Sequence, residues 1–522
     1  MEGTIYSLIP AVLMLVLVLL TRRVILSLGI GIIVGAIMLT QLDIGASVNL
    51  IWSLFSTIFV SEGALNMGNI YLLSFLLLLG ITTAFMTASG GSRAFGKWAV
   101  ERIRTRRGAK LIPAILGIII FIDDYFNALA VGQVARPVTD RYKVSRAKLA
   151  YFIDSTSAPI TVISPISSWG AYIIGTIGSI LAANEITNYQ ALEAFVLMIP
   201  ANFYVFAALL LVFLTIFMKL DIGAMKTHES RALQTGELTN PDKGDVPGDL
   251  NDEFKEHGNG RIYHLILPII ALIVGTVASM IITGIRNTTE GPVDALAIFA
   301  NTNVNISLFV GGLASVILAA ILYLVQGGEK SSTGRVFAEG LKAMLPAIYI
   351  LIFAWMIGDI ISQLQTGEYL AQQFSQADIN VAYLPLLIFI ISGFMALSTG
   401  TSWGTFGIML PIAGEIAAVT DPTMILPALS AVLAGSVFGD HCSPISDTTI
   451  LSSTGAGANH IDHVLTQLPY ALIAAGAASV GYVILGLTGS VWIPFAVTLL
   501  IVLAVGLAIH FFRSNSQAME KN

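Results

Sequence analysis

Residues 439–449 read Gly-Asp-His-Cys-Ser-Pro-Ile-Ser-Asp-Thr-Thr and lie inside the otherwise apolar stretch 424–455. Asp440 and Asp447 supply carboxylates, His441 an imidazole, and Ser443, Ser446, Thr448 and Thr449 hydroxyls, all beside the helix breaker Pro444. Were this stretch to lie in a bilayer, an unpaired charge would cost about 3 kcal/mol on insertion scales. Each aspartate must then be protonated, paired with His441, or neutralised by a bound cation. That choice is the chemistry of ion–proton exchange. Bound Na⁺ favours the charged carboxylate, and its departure lets a proton take its place.

Three other polar groups interrupt apolar sequence. Asp123, Asp124 and Asn127 fall in Asp123-Asp124-Tyr125-Phe126-Asn127, where one acid would bind a cation or gate access, or both would be solvated in a vestibule. Asp154 precedes Ser155, Thr156 and Ser157, ahead of Pro159. It is a candidate cation ligand or proton carrier, or else a helix cap. Ser398, Thr399, Gly400, Thr401 and Ser402 hold no acid. Their hydroxyls and glycine-exposed backbone suit Na⁺ or a substrate carboxylate. Sodium ligands are therefore expected among Asp154, Asp440, Asp447 and these two loops. Asp359 reads as interfacial or functional, Trp403 as a packing wedge or a substrate contact, and Cys442 as a packing residue. His460 and His463 have i, i+3 spacing but no third metal ligand, and the turn expected there places them in solvent.

Composition puts these groups in lipid. Of 522 residues, 55% are hydrophobic and only 11% charged, with mean hydropathy +0.82. A soluble domain carries about 25% charged residues, too many for this chain to match. One cysteine excludes a disulfide scaffold. No basic surface large enough for nucleic acid is left outside the spans. The expected surroundings are membrane lipid, a small ion and a small organic solute, with no organic cofactor and with Na⁺ and H⁺ as coupling ions.

Runs long enough to cross a bilayer, about 20 residues, occur at 4–20, 24–40, 69–89, 191–218, 262–284, 303–325, 336–361, 465–488 and 490–512. Residues 41–66 read as a short or interfacial helix. The basic clusters Arg93–Lys110 and Arg136–Lys148 flank segment 111–136 on both sides, so it reads as a re-entrant hairpin from the cytoplasm, broken at Pro113, Gly117, Gly132 and Pro137, with Asp123–Asn127 at its tip. Segment 382–414 has only acidic flanks and reads as the opposite hairpin, with Ser398–Thr405 at its tip. Segments 149–182 and 424–455 read as broken spans. Threaded so, 25 of 26 Lys and Arg residues face the cytoplasm, and only Arg286 lies outside. The amino terminus is then outside and the carboxyl terminus inside the plasma (inner) membrane.

The expected fold is thus an all-α polytopic membrane protein with an inverted structural repeat. Residues 1–218 form the first repeat, 219–261 a polar cytoplasmic linker, 262–489 the second repeat, and 490–522 an extra helix and tail. Each repeat holds a re-entrant helical hairpin and a discontinuous helix, and both discontinuous helices contain Ser-Pro-Ile-Ser, at 164–167 and 443–446. Unwound backbone at membrane depth presents carbonyls and helix ends to ions, a transporter design.

The run at 439–449, with Phe121-Ile122-Asp123-Asp124-Tyr125 and Asp154-Ser155-Thr156-Ser157-Ala158-Pro159, resembles the NhaC-type Na⁺/H⁺ antiporters over nearly the whole chain. The resemblance implies sodium-coupled secondary transport in the broader ion-transporter fold, with a moving transport domain on a static scaffold, an elevator-type arrangement. Similar proteins exchange Na⁺ for H⁺, malate for lactate, or carry single amino acids. Na⁺/H⁺ antiport is the favoured reading because titratable groups abound. Sodium-coupled carriage of an amino or organic acid is the alternative, and a cation channel is the alternative of another class. No His-Glu-x-x-His, Gly-x-Ser-x-Gly or P-loop points to an enzyme or pump. Apolar scaffold surfaces fit a homodimer.

Overall fold

Backbone N–H and C=O groups in lipid need partners within the chain, and the apolar runs meet that demand as helices. The computed structural model describes residues 2–519 apart from 22, 62, 122, 166, 241–256, 290–292, 294, 329, 367–368, 370–371 and 374–379. The first part of the chain forms α1 (Ile9–Thr21), α2 (Val24–Leu39), α3 (Ile44–Thr57), α4 (Met67–Ala88), α5 (Gly91–Arg102), α6 (Arg106–Ile119), α7 (Asp124–Arg141), α8 (Arg146–Ile163), α9 (Ser168–Ala183), α10 (Ala191–Met198), α11 (Phe203–Phe217) and α12 (Gly223–Gln234). The rest forms α13 (Tyr263–Asn287), α14 (Ala295–Ala300), α15 (Val304–Val325), α16 (Thr333–Gln363), α17 (Leu384–Thr399), α18 (Ser402–Thr420), α19 (Ile425–Cys442), α20 (Asp447–Ala456), α21 (His460–Thr488) and α22 (Trp492–Met519). Strands among the described residues amount to one antiparallel pair, Val60–Ser61 with Ala64–Leu65. Nine of these segments are long and apolar enough to cross a membrane, so the chain is a multi-pass membrane protein.

Breaks occur where polar sequence interrupts apolar sequence, though not always at the residues expected. α6 and α7 form one helical pair, but Pro113 and Pro137 lie inside helices. The break falls after Ile119, and α7 starts at Asp124 because Asp123 caps it, its Oδ1 accepting from Phe126 N at 2.9 Å. Asp124 to Asn127 therefore form the first turn of α7, not a loop. α17 and α18 are joined at Gly400 and Thr401. Gly400 has φ of 72°, a left-handed conformation that favours glycine, and Thr401 caps α18 through Gly404 N.

The two Ser-Pro-Ile-Ser sequences mark the other breaks. Ser164 and Ser443 end α8 and α19 in extended conformation, while Ser167 and Ser446 cap α9 and α20 by accepting from Gly170 N and Thr449 N. One expected straight span is bent. The segment 191–218 divides into Ala191–Ala201 and Phe203–Phe217, which meet at 49°. Pro200 supplies no N–H and crowds the preceding turn.

The linker expected as a polar loop begins with α12, whose Met225, His228, Glu229 and Ala232 are buried. Residues 241–256 of that linker lie outside the described residues. Two large apolar clusters flank the breaks. One joins α9, α10, α11, α17, α18, α19 and α21. The other joins α1, α2, α4, α7, α8, α16 and α20.

Candidate functional site

Both helical pairs meet the break between α19 and α20. Gly400 sits so close to this break that an added Cβ would lie 2.6 Å from Ile445 Cγ1 and 2.8 Å from its carbonyl oxygen. Ser443 Oγ donates to Leu397 O at 2.9 Å, and Ser402 Oγ donates to Ser436 O at 3.2 Å. From the other side, Asp124 Oδ2 accepts from Thr448 Oγ1 and its Oδ1 accepts from Trp169 Nε1, each at 3.0 Å. Tyr125 Oη donates to Asp447 Oδ2 at 2.9 Å. The polar turn 443–449 is thus the joint on which α7 and the α17–α18 loop converge, and α9 is tied to it through Asp124.

Asp154 lies mid-way along α8, ten residues before the break, so it is no helix cap. It is fully buried. Its Oδ2 accepts from Gln467 Nε2 at 2.6 Å, His463 Nε2 at 3.0 Å and Thr449 Oγ1 at 3.2 Å. Its Oδ1 has no hydrogen-bond partner, and His441 Nε2 stands 4.0 Å from it. A carbonyl can only accept, so the 3.0 Å contact of His441 Nε2 with Asp154 O places a proton on Nε2. Nδ1 then accepts from Tyr204 Oη at 3.0 Å. Buried charges persist only when paired or neutralised, and no Lys or Arg hydrogen-bonds Asp154 among the described residues. The arrangement offers one satisfied carboxylate oxygen and one left open.

His463 overturns an expectation. The sequence pattern predicts His460 and His463 in a solvent turn, yet both are buried. α21 begins at His460, so its first turns pack inside, and His460 Nε2 reaches Pro444 O at 2.7 Å. The spacing His460, His463, Gln467, Tyr470 draws one polar stripe along an apolar helix, a signal the sequence did carry.

The remaining candidates divide. Asp440 is buried in the last turn of α19, three residues before Ser443. Thr156 Oγ1 back-bonds to Phe152 O at 2.7 Å, and Ser157 Oγ lies 3.3 Å from Asp154 O, so both serve their own helix. Ser155 faces Tyr204, His441 and Gln467 across a small void. Ser398 and Thr399 both donate to Met395 O at 2.9 Å. Asn127 Nδ2 donates to Gly117 O and Ile120 O, each at 2.6 Å, tying α7 to α6. Trp403 packs 4.9 Å from Tyr172 and 5.9 Å from Trp169, centroid to centroid. Cys442 is a buried free thiol.

A cavity of about 540 Å³ lies beside the joint. Thr399, Gly400, Thr401, Asp447, Trp355 and Asp359 line it, with Asn66 and Asn69 at its other side. Trp355 Nε1 donates to Asp447 Oδ2 at 3.3 Å. Asp359 is exposed. Among the described residues no Lys, Arg or His lines this cavity.

A model of the Na⁺/H⁺ antiporter family matches residues 160–487. An uncharacterized protein of Haemophilus influenzae is 47% identical over 516 residues, 98% of this chain and 95% of that one. The malate-2H⁺/Na⁺-lactate antiporter of Bacillus subtilis is 26% identical over 197 residues, 37% of this chain and 40% of its own. An uncharacterized Na⁺/H⁺ antiporter of Haemophilus influenzae is 32% identical over 156 residues, 29% of this chain and 32% of its own.

Proposed function

The chain belongs to the Na⁺/H⁺ antiporter family, and from that premise we propose that it exchanges Na⁺ for H⁺ by alternating access, with the two ions competing for Asp154. One observation carries this reading. A fully buried carboxylate has three donors on Oδ2 and none on Oδ1, with no Lys or Arg hydrogen-bonded to it among the described residues. Oδ1 can take either a proton or a cation, and burial penalises leaving it charged and bare. Asp440, Asp124 and Asp447 surround the same joint and set the field in which the ion moves.

The finer architecture belongs to this proposal. The matched capping of both Ser-Pro-Ile-Ser breaks supports an inverted repeat, and the seating of both helical pairs on one joint supports a transport domain that moves against a scaffold, elevator fashion. The basic clusters support an outside amino terminus and a cytoplasmic carboxyl terminus in the plasma membrane. A homodimer through scaffold helices and the absence of an organic cofactor complete it.

The 540 Å³ cavity favours a second reading, since a bare Na⁺ needs far less room. Its two carboxylates, its indole and the absence of a basic side chain among its described lining residues suit a solute bearing a protonated amine better than a dicarboxylate. Reconstitution in liposomes tests both. An imposed Na⁺ gradient should move protons, read by a trapped pH dye, and uptake of labelled amino acids and carboxylates should follow. Proton movement indifferent to Na⁺ would remove the sodium coupling.

A further inference from the structure

At one end of the bundle, a cavity of about 700 Å³ opens between α5 and the start of α13. It shares no lining residue with the cavity beside the joint. Arg93, Lys97 and Arg261 line it, as do Trp98 and Tyr263, and no acid does among the described residues. Arg93 Nη2 donates to His257 O at 2.9 Å. The side chains of Lys97 and Arg261 are exposed and make no ion pair or hydrogen bond among the described residues. Arg93 and Lys97 are four apart on α5, so one helix face presents both to the cavity.

What lies beside these charges fixes the kind of anion. Tyr263, Leu267, Ile270 and Val274 are spaced 4, 3 and 4 residues apart on α13 and are 41%, 39%, 48% and 60% exposed. They form one apolar stripe, starting at the cavity, on a helix long enough to span the bilayer. Trp98, 39% exposed, and Tyr263 are aromatics of the kind that sit at the level of lipid headgroups. A soluble anion would use the charges and leave the stripe idle. A lipid uses both.

We propose that this groove holds an anionic phospholipid, its phosphate among Lys97, Arg261 and Arg93 and an acyl chain along Leu267, Ile270 and Val274. Basic pockets between membrane helices are known to bind acidic headgroups. Each basic residue near the surface contributes about fivefold in affinity.

The test places the full chain in nanodiscs of phosphatidylcholine. Brominated phosphatidylglycerol or brominated phosphatidylcholine is added, and quenching of Trp98 is taken as the difference from W98F. Phosphatidylglycerol should quench Trp98 selectively. Lys97→Gln should lower that selectivity about fivefold and K97Q/R261Q nearly abolish it, while Arg261→Lys retains it. Circular dichroism and gel filtration report folding, and the single exposed-site variant K97Q decides the matter should the double variant fail to insert. Equal quenching by the two lipids, or selectivity untouched in K97Q, overturns the proposal. So does displacement of the lipid by millimolar inorganic phosphate, which would make the groove a free-anion site.

Discussion

Asp154 allows structure and function to be separated by two substitutions. In Asp154→Asn the amide oxygen can take the place of Oδ2 and accept from Gln467, His463 and Thr449, while the amide nitrogen takes the unpartnered place of Oδ1. The hydrogen-bond cluster survives and the charge is gone. A unit charge about 4 Å from a cation contributes about 4 kcal/mol at an effective dielectric of about 20, equivalent to about a thousandfold in Na⁺ affinity. Asp154→Ala instead strands three buried donors. At about 1 kcal/mol each at the low end, the loss is about 3 kcal/mol, a large part of a stability of about 5–15 kcal/mol. The assay pairs the melting temperature in detergent with Na⁺-driven proton flux in proteoliposomes. D154N buries one amide nitrogen without an acceptor against three stranded donors in D154A, so it should melt clearly above D154A, with Na⁺ half-saturation raised beyond the accessible range. Wild-type half-saturation in D154N would refute the assignment of the ion to Asp154.

Four further outcomes follow from the same geometry. His463→Ala removes one of the three donors on Asp154 and should raise Na⁺ half-saturation about tenfold, the worth of about 1.5 kcal/mol for one charge-assisted hydrogen bond. Gly400→Ala forces a left-handed alanine, at about 1 kcal/mol, and drives its Cβ against Ile445. Flux should fall several-fold with insertion into the membrane unchanged, and wild-type flux would show that this seating is unimportant. Asp359→Asn should weaken inhibition of Na⁺-dependent proton flux by organic amines while leaving the flux itself intact, and equal inhibition of the two proteins would remove Asp359 from the amine site.

The fourth concerns Glu229 of α12, which accepts from Lys110 Nζ at 2.6 Å, Arg106 Nη2 at 2.9 Å and Ser145 N at 2.8 Å. Burial opposes its charge, but Lys110, Lys148 and Arg106 hold its carboxyl below the usual range. A lowered folded-state pKa gives stability that is present above the ordinary value, about 4.3, and is lost as pH falls through the lower one. The melting temperature contributed by this contact should be flat from about pH 5 to 8 and drop only in acid. Glu229→Gln should cost about 3–5 kcal/mol and remove that acid limb, measured as melting temperature against pH.

Much of the site was legible because polar residues are expensive in apolar sequence. Asp124, Asp154, Asp440, His441, Ser443, Ser446, Asp447 and Thr448 all gather around the second Ser-Pro-Ile-Ser break. Boundaries were less legible. Prolines were expected at the breaks, yet Pro113 and Pro137 sit within helices, and an aspartate cap starts α7 instead. The bend near Pro200 leaves no mark in hydropathy, because the flanking run is uniformly apolar. The roles of His463 and Gln467 depend on α21 beginning inside the protein, where the local sequence predicts a turn.

By itself, the sequence determined that the chain lives in lipid, which long apolar stretches are helical, and which few residues carry charge among them. Composition and hydropathy suffice for that, since transfer to a bilayer depends on each residue's own chemistry. Only the tertiary structure decided that one oxygen of Asp154 is enclosed by donors from α20 and α21 while the other is left open. Those partners lie some 300 positions away, and hydrogen bonds are set by distance in space, which local residue pattern does not encode.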